Sequence, residues 1–153
     1  MKHKLTLVNV QPKTIQIPTW FEFNRLRVLK VGNNTQDAMQ MLISKCPLVE
    51  KLKLYCRIEK LPEAHQFPPN LAKLTLWKTR LEEDPMPTLE KLPNLKILCL
   101  ESWCFIGKDM VCSEGGFPLL QYLLLDKLYL EEWRVEEGAM PSLCHLIIDA
   151  AID

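Results

Sequence analysis

The chain has 153 residues, 48% of them hydrophobic, and a formal net charge of zero, so it has the length of one domain and ample apolar residues for a core. No stretch reaches the roughly 18 consecutive apolar residues of a membrane-spanning helix, and the first ten residues lack the pattern of a cleaved signal. The zero net charge conceals a polarity: residues 1–80 hold 14 Lys and Arg against 5 Asp and Glu, net +9, while residues 81–153 hold 5 against 14, net −9. That acidic half, with no sustained run of Lys or Arg, argues against a nucleic-acid partner.

In chain order, one apolar pattern, L-x-x-L-x-L, keeps returning. A degraded copy comes first, with Leu5 and Leu7 in place and Lys2 where a leucine belongs. Leu26, Leu29 and Val31 follow, with Asn34 beyond them. Thr35 to Lys45 then reads as a short helix, with Met39, Leu42 and Ile43 at helical spacing and Asn34 or Thr35 as its cap. The next copies are Val49, Leu52 and Leu54, then Leu71, Leu74 and Leu76. Asp84-Pro85 opens a second turn or short helix carrying Met86, Leu89 and Leu92, with the proline at the first helical position. Leu95, Leu98 and Leu100 come next, then Leu120, Leu123 and Leu125, and finally Leu143, Leu146 and Ile148. The intervening segments Gly107–Gly116 and Glu131–Gly138 carry no period and are expected to be irregular.

The middle leucines, Leu5, Leu29, Leu52, Leu74, Leu98, Leu123 and Leu146, lie 24, 23, 22, 24, 25 and 23 residues apart. Such spacing is that of leucine-rich repeats, roughly 20–29 residues each. Proline stands two residues before the first leucine in five copies, at Pro47, Pro69, Pro93, Pro118 and Pro141. It cannot donate to a ladder, so it marks where one connecting segment ends and the next strand begins. One repeat cannot bury its own leucines, whereas stacked repeats can. The expected fold is therefore α/β: one leucine-rich-repeat solenoid over residues 1–153, of about seven repeats, with one parallel strand per repeat on a concave face and loops or short helices on the convex face.

Strand side chains alternate, so the residues between the leucines face outward on the concave side. Lysines at Lys4, Lys30, Lys51, Lys53 and Lys73 form a ladder there, with Thr75 beside them. Tyr55 and Trp77 hold the same position in neighbouring repeats and are expected to be adjacent. Glu101, Tyr122 and Asp126 continue the face in the acidic half. Exposed aromatics are enriched at interface hot spots, and this set is the candidate protein-binding surface. The alternative reading of the lysines is a solvated face that discourages aggregation.

Signals for chemistry are sparse. The phosphate-loop, nucleophile-elbow and H-E-x-x-H motifs do not occur. His3, His65 and His145 fall in different repeats. Glu82-Glu83-Asp84, Glu131-Glu132 and Glu136-Glu137 read as solvated loop charge. The six cysteines show no C-x-x-C spacing; free thiols and a reducing compartment are expected. No catalytic activity, cofactor or metal is expected.

The wording of the repeats is more specific than their period. Phe67-Pro68-Pro69-Asn70-Leu71-Ala72-Lys73-Leu74-Thr75-Leu76, then residues 81–92 (LEEDPMPTLEKL) with Pro93-Asn94-Leu95-Lys96, then 106–118 (IGKDMVCSEGGFP) and 130–143 (LEEWRVEEGAMPSL), resemble the C-terminal repeats of plant intracellular coiled-coil nucleotide-binding leucine-rich-repeat disease-resistance proteins. The resemblance covers about residues 66–149. It implies a cytoplasmic, non-catalytic interaction module of an innate immune receptor, sensing a pathogen effector or a guarded host protein. It also implies contact with the nucleotide-binding and coiled-coil domains of the parent receptor, holding them inactive. The 153 residues contain no such domain, so nucleotide binding does not carry over, and a fragment of a larger receptor is expected. Two other readings stay open. One is a substrate-receptor module of the F-box type, which Cys46-Pro47-Leu48-Val49-Glu50-Lys51-Leu52 also resembles. The other is a truncated remnant without a partner, since the run from Ile147 to Ile152 is no polar cap and leaves an end open to self-association.

Overall fold

The structure, a computed structural model, describes residues 3–8, with side chains through Thr6, and residues 16–149. Lys2, the side chains of Leu7 and Val8, and the run Ala150, Ala151 and Ile152 lie outside the described residues.

Seven strands form one parallel sheet: β1 (His3–Val8), β2 (Leu26–Gly32), β3 (Lys51–Tyr55), β4 (Lys73–Trp77), β5 (Ile97–Glu101), β7 (Tyr122–Asp126) and β9 (His145–Asp149), in the order β1-β2-β3-β4-β5-β7-β9. Two strands interrupt the numbering, β6 (Asp109–Cys112) and β8 (Glu132–Val135), and pair with each other in a second, parallel sheet. The register of the main sheet sets Leu5 opposite Leu29, then Leu52, Leu74, Leu98, Leu123 and Leu146. That is the series singled out by spacing. Leu29, Leu52, Leu74, Leu98 and Leu123 are fully or almost fully buried, as are Val31, Leu54, Leu76, Leu100 and Leu125 two residues on. Only Leu146, on the terminal strand, stays half exposed, because no described strand covers its outer side.

The backbone explains why the copies stack in register. Pro47, Pro69, Pro118 and Pro141 each take the second place of a β-turn, the position proline's fixed φ suits. Those turns close with the N–H of Val49, Leu71, Leu120 and Leu143 donating to Cys46, Pro68, Phe117 and Met140. At four places just before a strand one carbonyl accepts from two N–H groups of the next repeat: Glu50 from Ala72 and Lys73, Ala72 from Lys96 and Ile97, Lys96 from Gln121 and Tyr122, Gln121 from Cys144 and His145. At the strand exits Asn33, Lys78, Ser102 and Lys127 each adopt a left-handed backbone, turning the chain off the sheet at the same place.

Behind the sheet, α1 (Gln36–Ser44) begins at Thr35, whose hydroxyl accepts from the N–H of Ala38 at 3.2 Å. Met39, Leu42 and Ile43 face the core. α2 (Met86–Leu89) is a single turn. Pro85 serves as its cap residue, not its first helical residue, because the Asp84 carboxylate takes the N–H of Met86 at 2.9 Å and sets the turn one residue later. Thr79 fills the place Asn34 holds in its own repeat; fully buried, it donates its hydroxyl to the carbonyl of Cys104 at 2.8 Å. No helix among the described residues is long and apolar enough to cross a membrane.

The segments read as irregular, Gly107–Gly116 and Glu131–Gly138, contain β6 and β8. Each is four residues long, and β6 sends Met110 and Cys112 inward while Asp109 faces out. The acids read as solvated loop charge include Asp84, which is partly buried. Its second oxygen accepts from the N–H of Val111 at 2.9 Å, occupying the free edge of β6. Glu90 does a similar job: buried, it takes the N–H of Ser113 at 2.7 Å, and a Cβ at Gly116 would strike its carboxylate.

Candidate functional site

The outward positions of the main sheet fall into rows that run across the strands. One row is Lys4, Val28, Lys51, Lys73, Ile97, Tyr122 and His145; the next is Thr6, Lys30, Lys53, Thr75, Cys99, Leu124 and Ile147. Neighbouring strands are about 4.8 Å apart, so the lysines of β1 to β4 form a dense positive field. None of Lys4, Lys30, Lys51, Lys53 or Lys73 sits within ion-pair distance of a described carboxylate. The Lys4 side chain beside Lys30, by hydrogen bonding and charge repulsion, pushes the Lys30 ammonium below the ordinary lysine range.

Two adjoining recesses shape this field. One, of about 300 Å³, is lined by Lys4, Thr6, Lys30, Lys53, Tyr55 and Trp77. The other, of about 290 Å³, brings Lys51, Lys73, Thr75 and Glu101 together with Lys30 and Lys53. The aromatic pair shares the first recess, but the rings do not stack. A Cβ at Gly32 would come within 2.0 Å of the Tyr55 ring, so Tyr55 leans over the bare backbone of the preceding strand. Lys53 reaches within 5.9 Å of the Tyr55 ring centre. Lys78, turned back by its left-handed backbone, sits 4.3 Å over Trp77. Cation–π contacts of this kind hold flexible ammonium groups in place; the Lys78 contact was not foreseen, because nothing in the residue type signals its backbone.

The remaining expected residues separate. Thr75 stands on the face but is buried, as is Cys99 beside it, because both are short and lie between longer neighbours. Glu101 pairs across the sheet with Trp77 on one side and Asp126 on the other, and Asp126 with Asp149. Tyr122 and Asp126 therefore lie on β7, beyond both recesses. The Tyr122 ring is 6.2 Å from that of His145.

The thiols offer little nucleophilic character. Five of the six free cysteines are buried. Burial pushes Cys46 and Cys112 up to about 11 and raises Cys56, Cys99 and Cys104 as well, so they remain protonated at neutral pH. Among the described residues no group of His, Cys, Asp and Glu is placed to hold a metal ion. What the face presents is positive charge, aromatic surface and two shallow recesses.

The fold is that of an α/β protein built on a parallel sheet. Comparison with known proteins gives the kinship. The chain is 50% identical over 101 residues to Disease resistance RPP8-like protein 3 of Arabidopsis thaliana, a match covering 65% of this chain and 11% of the relative. It is 40% identical over 138 residues to Probable disease resistance RPP8-like protein 2 of the same plant, covering 90% of this chain and 15% of the relative. Disease susceptibility protein LOV1, also from Arabidopsis thaliana, is 44% identical over 108 residues, or 70% of this chain and 12% of its own length. The chain is thus homologous to plant disease-resistance proteins of the RPP8-like kind, as its motifs indicated, and spans roughly a tenth to a seventh of their length. No protein-family model matches it.

Proposed function

We propose that the chain is a leucine-rich-repeat module of a plant immune receptor, a non-catalytic, cytoplasmic solenoid that binds protein through the lysine and aromatic face of its sheet. The observation that carries this reading is the coincidence of two patterns: the seven leucines pair strand to strand in one parallel sheet, and the same register gathers Lys30, Lys51, Lys53, Tyr55, Lys73 and Trp77 around two adjoining recesses. Homology to disease-resistance proteins supplies the setting. In that setting the face has two partners: an acidic surface of the nucleotide-binding and coiled-coil part of the receptor, which it restrains, and a pathogen effector or guarded host protein, which competes for it.

Co-expression tests the restraint. The chain is produced in leaf tissue with the nucleotide-binding and coiled-coil part of an RPP8-like relative, and co-precipitation and cell death are scored. The wild-type chain should co-precipitate and suppress cell death. A variant carrying Lys30→Glu, Lys51→Glu, Lys53→Glu and Lys73→Glu should do neither, and Tyr55→Ala with Trp77→Ala should weaken both. Equal retention by all variants would reject this face as the contact. Calorimetry with ATP and with ADP should show no binding; micromolar affinity for either would overturn the non-catalytic assignment.

A further inference from the structure

Five ammonium groups stand close together on the sheet without a counter-charge. Lys4, Lys30, Lys51, Lys53 and Lys73 occupy four adjacent strands, β1 to β4, in two rows. No described carboxylate is within ion-pair distance of any of them. Lys30, Lys53 and Lys73 are half-buried, and Lys4 crowds Lys30 enough to push its ammonium below the ordinary lysine range. Adjacent strands are about 4.8 Å apart and the two rows about 6.6 Å apart along a strand, so the five side chains stem from a patch of about 7 by 14 Å. Like charges held in so small an area repel, and a multiply charged anion among them turns that repulsion into attraction.

The shape of the patch narrows the chemistry of such an anion. Lys30 and Lys53 line both recesses, of about 300 and 290 Å³, so the two form one basin with these lysines at its centre. Lys4 stands on one side, Lys51 and Lys73 on the other. Glu101, on β5, lines the far wall of the second recess, and its charge confines an anion to the β1–β4 side. The aromatic rings are already engaged. Lys78 sits 4.3 Å over Trp77, Lys53 approaches Tyr55 to 5.9 Å, and Tyr55 itself leans over Gly32. They offer no open face on which a nucleobase could stack. What remains is a two-dimensional array of point charges, which lysine supplies to phosphate groups.

We propose that the basin around Lys30 and Lys53 binds a compact, multiply phosphorylated ring, such as a cyclitol polyphosphate, free or as the headgroup of a phosphoinositide. A ring spreads its phosphates in two dimensions, as the lysines are spread over two rows and four strands. A linear polyphosphate lies along one line and reaches fewer of them at once. The site goes beyond the protein-binding reading of this face and needs no second protein, so the two succeed or fail separately.

Calorimetry of the full chain with myo-inositol hexakisphosphate, inorganic tripolyphosphate and inorganic phosphate is the test, at about 0.15 M salt, where screening is already short. The ring should bind one per chain with micromolar affinity. Tripolyphosphate should bind about tenfold more weakly or worse, through fewer charged contacts, and phosphate should give no signal. Lys30→Gln with Lys53→Gln should weaken binding of the ring by about tenfold or more. Lys60→Gln with Lys91→Gln removes the same charge from exposed lysines outside the strands and should bind as the wild type does. Circular dichroism checks that both variants fold. No saturable binding, several ligands per chain, equal weakening in the two variants, or tripolyphosphate binding as tightly as the ring would each overturn the proposal. Co-sedimentation with phosphatidylcholine vesicles containing phosphatidylinositol bisphosphate separates the two sources. If the soluble ring binds, pelleting that Lys30→Gln with Lys53→Gln abolishes adds the lipid headgroup as a ligand, and absence of pelleting assigns the free form. Pelleting without binding of the soluble ring would overturn the basin as a site.

Discussion

Replacing Leu98 with alanine tests the architecture at its centre. Leu98 has no exposed surface and stands between Leu74 and Leu123 in the leucine series. Leucine exceeds alanine by three carbon groups, and at about 0.8 kcal/mol each the lost burial is about 2.4 kcal/mol. A residual cavity of roughly 70 Å³, at about 24 cal/mol per Å³, adds about 1.7 kcal/mol. Collapse into that space is restricted, because β5 is hydrogen-bonded to β4 and β7 on both sides. The expected loss is therefore about 4 kcal/mol. Leu146 holds the same place on the terminal strand but is 45% exposed. It should lose only about 1 kcal/mol on truncation, from half the burial and no closed cavity. Urea unfolding followed by circular dichroism measures both, with the slope checking that the transition stays cooperative. Equal losses at Leu98 and Leu146, or a loss under about 1 kcal/mol at Leu98, would refute the idea that the repeats share one continuous core.

Asp84 gives a pH-dependent prediction: burial raises its carboxyl above 3.8, ahead of the opposing pull of its two backbone N–H bonds. A folded value above the unfolded one means that its stabilising contribution is complete below 3.8 and is lost as pH rises through the folded value. Relative to Asp84→Asn, which does not titrate, the wild type should therefore lose stability from acid toward neutrality; a difference flat in pH, read from urea midpoints, would count against it. Thiol titration with a chromogenic disulfide should find one fast cysteine in the native state, the exposed Cys144, and release the other five only on unfolding; early reaction of Cys104 would show that its site opens. Thr79→Val should cost about 1 kcal/mol in the same urea assay, since the Cys104 carbonyl keeps its bond from the N–H of Leu81 when the hydroxyl is lost; an unchanged midpoint would show that the hydroxyl bond contributes nothing. Sedimentation at low ionic strength should reveal association, driven by a chain of net +9 and −9 halves, and glutamates at Lys30, Lys51, Lys53 and Lys73 should remove it.

The leucine series was legible because each repeat buries the same positions against the same neighbours, so a single period in the sequence encodes the register. α1 was legible for a related reason: it is long enough for Met39, Leu42 and Ile43 to declare a face. β6 and β8 escaped notice because four residues scarcely establish a period of two. The roles of Asp84 and Glu90 were hidden because their partners are backbone N–H groups at Val111 and Ser113, 27 and 23 residues away. A backbone donor leaves no mark in residue type. The lysine rows followed from alternation alone, but the burial of Thr75 and Cys99 depends on the length of the side chains beside them. The exposed Trp20 lies outside the repeats, where periodicity has nothing to say.

This division between what repeats and what does not bears on the proposed binding face. The turns, the doubly used carbonyls and the left-handed exits each recur at four places along the sheet, so the backbone presents a similar outline from strand to strand. Differences along the sheet are then carried by the outward side chains. On the row that ends the strands the change is abrupt: Tyr55 and Trp77 stand on β3 and β4, and Glu101, Asp126 and Asp149 on β5, β7 and β9. The boundary falls between β4 and β5, where Trp77 faces Glu101 and the second recess joins Lys51 and Lys73 to that same carboxylate. A partner lying across the strands meets positive charge and aromatic surface on one side of this line and negative charge on the other. On the proposed reading of this face, charges so arranged would fix the direction in which a partner lies, because the reversed pose sets like charges together at both ends. The uniform backbone supplies the platform, and the break in side-chain character at β4 and β5 supplies its orientation.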